Sequence, residues 1–318
     1  MKIGLFGFGH LGKIHFKCLK ESAFTIHGIY DPSFLNESTY ENVPFYKSEA
    51  ELMDNIDACI IASKTSSHFE LAQLAIEKNV HVFVEKPMTQ TLNQADKLVK
   101  LLEHKPNLVT MVGFVERYNP TFKYIKEHIR NPRFMEVHRL STFSNRGLDV
   151  SVVFDLMIHD LDLILNLKKE NVIDIKASGV KLITDSLDIC NVRLEFSDFS
   201  VANITASRMS MKNLRKFRIF QKDSYVSMDL NKKEAQVINL SDTELPDSMK
   251  VPSEKIEKYF TIKSSGTLDG NAILDELNVF YDSIVNNKQT ASSMFNALKT
   301  TKLADEIETI ALQSANIM

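Results

Sequence analysis

A few residues of this 318-residue chain stand where their types and spacing could do chemistry together. The run Gly7-Phe8-Gly9-His10-Leu11-Gly12 has GxGxxG spacing, and Asp31 follows 19 residues after Gly12. In a strand-to-helix turn the first glycine allows the tight bend, the second lets backbone approach a pyrophosphate, and the third lets helix and strand pack closely. The helix start adds amide donors and positive dipole for the phosphates. A carboxylate at Asp31 can accept hydrogen bonds from ribose hydroxyls and would repel a 2'-phosphate, which favours NAD over NADP. Asp31 precedes Pro32 and is also placed to start a turn.

Lys86, in Val84-Glu85-Lys86-Pro87, ends a short apolar run, where open α/β sheets collect their ligands. A lysine there can stabilise negative charge developing on a substrate oxygen, or lower the pKa of a neighbouring base. The plainer reading is a solvated loop lysine. Farther on, Asp155, His159 and Asp162 fall within about 60° of one another on a helix, with Asp160 round to the side. The rest of that segment is almost wholly apolar, and a polar stripe on a buried helix is costly unless its members pair or meet a ligand. His159 is suited to take a hydroxyl proton, with Asp155 orienting the ring. An internal Asp-His pair is a second reading. A divalent cation on Asp155, His159 and Asp162 is a third, although no second ligand cluster appears and a cofactor is already implied, so no metal is expected.

These residues need elements to position them. Strand patterns at Lys2–Phe6, Phe24–Tyr30, near Phe45, Asp57–Ala62, His81–Val84 and Leu108–Phe114 alternate with helical ones, notably Lys13–Leu19, Ser66–Lys78 and Leu92–Glu103. That rhythm predicts an α/β Rossmann domain, a doubly wound parallel sheet, over residues 1–120. From 121 to 318 the pattern changes to a helix at Thr121–Ile129, a run at Arg133–Phe143, the apolar segment Val152–Leu167, and successive strands from Val172 to Leu240. This predicts an α+β substrate and oligomerisation domain with a large, mostly antiparallel open sheet. Leu240–Gly270 reads as extended or loop, followed by helices at Ala272–Asn286 and Met294–Ser314.

Composition narrows the partners. With 38 Lys+Arg against 41 Asp+Glu the net charge is -3, which gives no reason to expect nucleic acid or a membrane surface; a small molecule fits better. No stretch reaches the roughly 18 apolar residues of a membrane helix, and the start MKIGLFGFGH reads as a strand and glycine turn without a charged n-region and signal-length apolar run, so neither export nor membrane insertion is expected. Cys18, Cys59 and Cys190 are far apart, with neither a CxxC pair nor zinc spacing, and read as reduced structural thiols in a cytoplasmic protein. Arg117 and Asn119 end the sixth strand pattern and are candidate cleft residues, although Asn119 before Pro120 also terminates a strand. Arg139 and Arg146, ahead of the acid-base helix, are candidates for a phosphate or diphosphate. Arg208, Lys212, Arg215, Lys216 and Arg218 read as a solvated strand face, with a phosphate contact as the alternative.

The residues KIGLFGFGHLGKIH, IIASKTSSHFELA, VFVEKP, VGFVERYNP and DLMIHDLDLI occur in the order and spacing of Gfo/Idh/MocA oxidoreductases. The chain resembles that family over essentially its whole length, most strongly in the first 165 residues. The resemblance implies an NAD-dependent dehydrogenase of CH-OH groups, with Lys86 against nicotinamide and substrate and with Asp155 and His159 as acid/base elements. It also implies cofactor contacts from Ser63, Lys64, His68 and Glu85. Lys64 departs from the family, many members of which carry proline there, and His68 is also placed as a structural histidine near a helix start. Within the family, Glu136 to Val150 followed by SVVFDLMIHDLDL is similar to enzymes oxidising the 3-hydroxyl of UDP-N-acetylglucosamine, so a sugar or UDP-sugar is the expected substrate. A homodimer or homotetramer, built on the open sheet face, is expected on the same ground. A non-catalytic dinucleotide-binding regulator, or a reductase of a non-sugar substrate, would share most of these features.

Overall fold

Short apolar runs without alternation belong to strands buried on both faces. β1 (Lys2–Phe6), β5 (Ala58–Ile61), β6 (His81–Glu85) and β7 (Thr110–Gly113) are such strands, and β2 (Thr25–Tyr30) completes a parallel sheet in the order β2-β1-β5-β6-β7. β3 (Thr39–Tyr40) and β4 (Val43–Pro44) form a small antiparallel ribbon, and Phe45 makes a single parallel bridge to Ile29. Helices α1 (His10–Glu21), α2 (Glu49–Met53), α3 (His68–Glu77) and α4 (Leu92–Leu102) fill the connections. α4 opens on a capping box between Thr91 and Gln94, whereas no side chain caps α1 at Gly9. From β1 the chain steps one way to β2 and the other way to β5, so the order reverses there, and ligands of open α/β sheets collect at such a reversal.

The computed structural model describes residues 1–144, 150–253 and 255–315. The chain divides into two units: Met1–Val115 with Ala272–Leu303, and Glu116–Asn271 with Ala304–Met318. The first unit thus recruits α7 (Ala272–Val285) and the first half of α8 (Met294–Ala315), and Phe280 of α7 packs against Phe24 and Phe83. A boundary drawn along the sequence at residue 120 cannot express that return. No helix among the described residues is long and apolar enough to cross a membrane.

The second unit holds α5 (Pro120–Lys126), α6 (Ile158–Leu167) and a nine-stranded sheet. Its strands are β8 (Pro132–Leu140), β9 (Val172–Val180), β10 (Ile189–Phe196), β11 (Val201–Ser207), β12 (Leu214–Gln221), β13 (Ser224–Asp229), β14 (Glu234–Ser241), β15 (Met249–Lys250) and β16 (Tyr259–Thr267). The order is β15-β16-β14-β13-β12-β8-β11-β10-β9, and every pairing is antiparallel except β8 with β11. Met135, Val137, Ile204, Phe217, Ile219 and Val226 alternate onto the buried face. On the other face the register lines up Val201, Phe134, Phe220, Tyr225, Ile238 and Ile262 as one apolar row across six strands. β16, a nine-residue strand, lies inside the segment read from sequence as extended or loop.

Candidate functional site

The glycine turn is built as its spacing predicts. Gly7 has φ +96, a value that side chains resist, and a Cβ there would lie 2.6 Å from Ser63 N. A Cβ on Gly12 would fall 2.1 Å from Gly7 O, so only glycine lets α1 pack this closely on the turn. A Cβ on Gly9 would meet nothing within 4 Å, leaving open space at the uncapped start of α1. Open space, an uncapped twelve-residue helix and a close-packed turn fit a dinucleotide pyrophosphate. Phe8 is fully buried among Phe16, Phe34, Tyr40 and Phe45, so its side chain supports the turn and only its backbone is placed for a cofactor. His10 is exposed, and Leu11 is half-buried.

Asp31 does two local jobs. Its Oδ2 accepts from Phe8 N–H at 2.6 Å and its Oδ1 from Ser33 N–H at 2.8 Å, where it caps the turn Pro32–Phe34. Each carboxylate oxygen has a second lone pair, so ribose hydroxyls can still be accepted. The turn reading and the cofactor reading are compatible.

The Lys86 loop is braced from beneath. His68, fully buried, places Nδ1 2.9 Å from Pro87 O and Nε2 3.2 Å from Ser63 O, tying the loops after β5 and β6 together. Its side chain is thus a brace for those loops. Ser63 Oγ and Ser67 Oγ lie 2.7 Å apart, Ser67 Oγ donates to Lys64 O, and Lys64 itself is exposed. Glu85 is buried, with Oε1 2.7 Å from His15 Nε2 and Oε2 accepting from the Lys86 backbone N–H at 3.2 Å. Its carboxylate is engaged inside the fold by these two contacts. His15 is a functional candidate that motif spacing missed; its signal was a histidine on the apolar face of α1, beside Phe16 and Leu19.

In the second unit the polar residues of the acid-base segment divide. Val153–Met157 forms a π-turn, which leads into α6; such turns recur at functional sites. Asp162, fully buried, accepts from Arg117 Nε at 2.5 Å and Nη2 at 2.6 Å. Asp160 accepts from Arg139 Nε and Nη2, and Arg139 Nη1 donates to Glu116 at 2.9 Å. Glu116 also receives Arg215 and Asn119, and Asn119 Nδ2 reaches Leu230 O. Burial pushes the Glu116 carboxyl up, but the charges of Arg139 and Arg215, with hydrogen bonds from Arg139 and Asn119, outweigh it and hold it below the usual carboxylate range. Asp155 and His159 are left half-buried on the π-turn and the first turn of α6.

Several expected substrate contacts are therefore corrected. Arg139 is 2% exposed and all three of its guanidinium nitrogens are spent on Asp160 and Glu116, so it holds the helix rather than a phosphate. Arg117 is likewise tied bidentately to Asp162, and Asn119 caps α5 through Thr121 N–H. Arg146 lies outside the described residues. The basic cluster does not form one solvated face: Arg208 is buried and donates to Val150 O, Arg215 bonds Glu116 and Arg218 bonds Glu136. Among the described residues no three metal-ligating side chains converge.

Comparison with known proteins decides what this arrangement belongs to. Residues 1–114 match the oxidoreductase family with an NAD-binding Rossmann fold, Gfo/Idh/MocA. UDP-N-acetylglucosamine 3-dehydrogenase of Acidithiobacillus ferrooxidans is 30% identical over 301 residues, 92% of this chain and 95% of that one. The chain belongs to the Gfo/Idh/MocA family of oxidoreductases. A solved structure of the Acidithiobacillus ferrooxidans enzyme superposes with TM-score 0.88 at 27% identity, covering 99% of this chain and 98% of that one. Myo-inositol 2-dehydrogenase of Thermotoga maritima is 28% identical over 235 residues, 66% of this chain and 70% of the relative. As a Gfo/Idh/MocA protein the chain is a nicotinamide-dependent oxidoreductase, and its two units are the Rossmann half and the large-sheet half of that fold.

Proposed function

We propose that this oxidoreductase uses NAD to oxidise a secondary alcohol of a sugar, with a UDP-sugar such as UDP-N-acetylglucosamine the substrate to try first. The observation that carries the reading is the division of the acid-base helix. Asp160 and Asp162 are locked in ion pairs, and Asp155 and His159 alone among its polar residues between 155 and 162 stay half-buried rather than closed off. Likeness to a UDP-N-acetylglucosamine 3-dehydrogenase along nearly the whole of both chains supports the substrate class.

NAD, when bound, supplies the acceptor for hydride from the alcohol carbon. It would lie over the Gly7–Gly12 turn, its adenosine ribose accepted by Asp31, whose charge disfavours a 2'-phosphate. His159 takes the hydroxyl proton as the carbonyl forms, and Asp155 orients its ring. The Lys86 ammonium stabilises negative charge developing on a substrate oxygen, and in the reverse direction His159 returns the proton.

The apolar row from Val201 to Ile262 supports assembly of the chain with copies of itself through the outer face of the large sheet. Cys18, Cys59 and Cys190 are buried and form no disulfide, which suits a reducing compartment such as the cytoplasm. Burial pushes Cys190 up to about 12, so it is a packing residue.

The test is formation of reduced nicotinamide with UDP-N-acetylglucosamine, free N-acetylglucosamine and myo-inositol, each with NAD and with NADP. Turnover of the UDP-sugar with NAD is expected. Silence across the panel in a protein that binds NAD tightly would contradict sugar oxidation and favour a regulator or a reductase of another substrate.

A further inference from the structure

His15 lies in the second turn of α1, fully buried, with its ring edge against Phe83 at 5.4 Å between centroids. Its Nδ1 is buried with no hydrogen-bond partner, so the ring makes one polar contact, Nε2 to Glu85 Oε1 at 2.7 Å. A histidine costs more to bury than the leucine or phenylalanine that would fill the same space, so that single bond is the reason to expect for its presence. The other Glu85 oxygen accepts the Lys86 backbone N–H, so one carboxylate connects α1 to the residue after β6. β7 makes room for it: Gly113 pairs with Glu85, and a Cβ there would sit 2.7 Å from Glu85 Oε2.

We infer that His15 and Glu85 are a positioning pair, which fixes the Lys86 backbone to the helix that receives the cofactor pyrophosphate and so aims the lysine for the chemical step. The inference rests on the reading of Lys86 as an acid/base element. His15 touches neither reacting atoms nor cofactor phosphates in this role; it acts through Glu85, and Gly113 keeps the carboxylate free to reach both partners. Misplacement of a reacting group by about 1 Å can cost 10²-fold in rate. Loss of the pair should therefore appear in kcat far more than in cofactor affinity.

Four variants separate the possibilities. His15→Leu fills the space without the bond, and His15→Gln keeps an N–H donor near the position of Nε2. Gly113→Ala crowds the carboxylate while leaving both partners in place, and Lys86→Ala tests the underlying reading. Measured together are NAD dissociation constants, kcat with the productive sugar substrate, and the Lys86 backbone amide resonance in the protein without cofactor. The expected result is a shifted Lys86 amide and a kcat loss of about tenfold or more in His15→Leu and Gly113→Ala, with NAD binding changed less than about threefold and His15→Gln recovering most of the rate. If His15→Leu turns over like wild type, or loses NAD affinity in step with rate, or is not rescued by glutamine, the positioning role is overturned while a dead Lys86→Ala leaves the acid/base reading standing. Should Lys86→Ala keep full turnover, that reading fails and the pair's role falls with it. Gly113→Ala keeps the question answerable if His15→Leu does not fold.

Discussion

Asp31 forms a turn and is proposed to meet the cofactor ribose with the same carboxylate. Phe8 N–H and Ser33 N–H fix both of its oxygens, so the charge is held at the end of β2 rather than left to wander. Removing it as Asp31→Ser should raise KM for NAD by about tenfold, the scale of one hydrogen bond to a charged group, and should improve NADP relative to NAD. The ratio of kcat/KM values for the two cofactors checks this, and an unchanged ratio would contradict it. For the proposed acid/base pair Asp155 and His159, His159→Asn should lower kcat about 10²- to 10⁴-fold with little change in NAD binding, as expected for loss of a general base. Asp31, Lys86 and His159 stand out in the sequence as candidates because each sits beside a strong local pattern. The partners of Glu85 and Arg139 were not legible because sequence shows a charge and not its partner: the bonds to His15, Asp160 and Glu116 join residues 21 to 70 positions apart.

Among the elements, α1 and its turn depend on Gly12. Gly12→Ala puts a methyl 2.1 Å from Gly7 O, backbone that cannot swing aside, so α1 must lift from the turn. The expected cost is about 1–3 kcal/mol of stability with loss of NAD affinity, measured by denaturant unfolding and by titration. Glu116 anchors the second unit through Arg139, Arg215 and Asn119. Its carboxyl is held below the usual range, so its contribution is fully present above the unfolded value, roughly 4.3, and is lost as pH falls through the folded value. Glu116→Gln should cost about 3 kcal/mol at pH 7, and that gap should narrow on acidification below about pH 4; a gap constant into acid would contradict it. The same scale shows where pattern reading stops. The Rossmann strands were found nearly to the residue because buried parallel strands are continuous apolar runs. β16 was missed because Tyr259–Thr267 lies near the sheet edge, half open to solvent, and carries Ser, Thr and Lys instead of an alternating face. The π-turn at Val153–Met157 was hidden because an apolar run looks the same with one extra residue in its turn.

For the whole molecule, the row Val201, Phe134, Phe220, Tyr225, Ile238 and Ile262 is the surface feature with the clearest consequence. On the proposed self-assembly through this row, a charge placed in it, Phe220→Asp or Ile262→Asp, should shift the protein toward monomers in light scattering, while Leu182→Asp in the loop after β9 should leave the assembly unchanged. The two units were visible in the sequence as a change of rhythm after Pro120, but the return of α7 and the first half of α8 to the first unit was not, since amphipathic helices do not record which core they cover. The central claim is that this chain removes a hydride and a proton from a sugar alcohol, with His159 and Lys86 managing the proton and the charge. It is tested most directly by the initial rate of NAD reduction by UDP-N-acetylglucosamine in wild type, Lys86→Ala and His159→Asn, with NAD binding measured on each protein. The account predicts turnover in wild type and its near-complete loss in both variants with binding retained. Turnover that survives in either variant would contradict it.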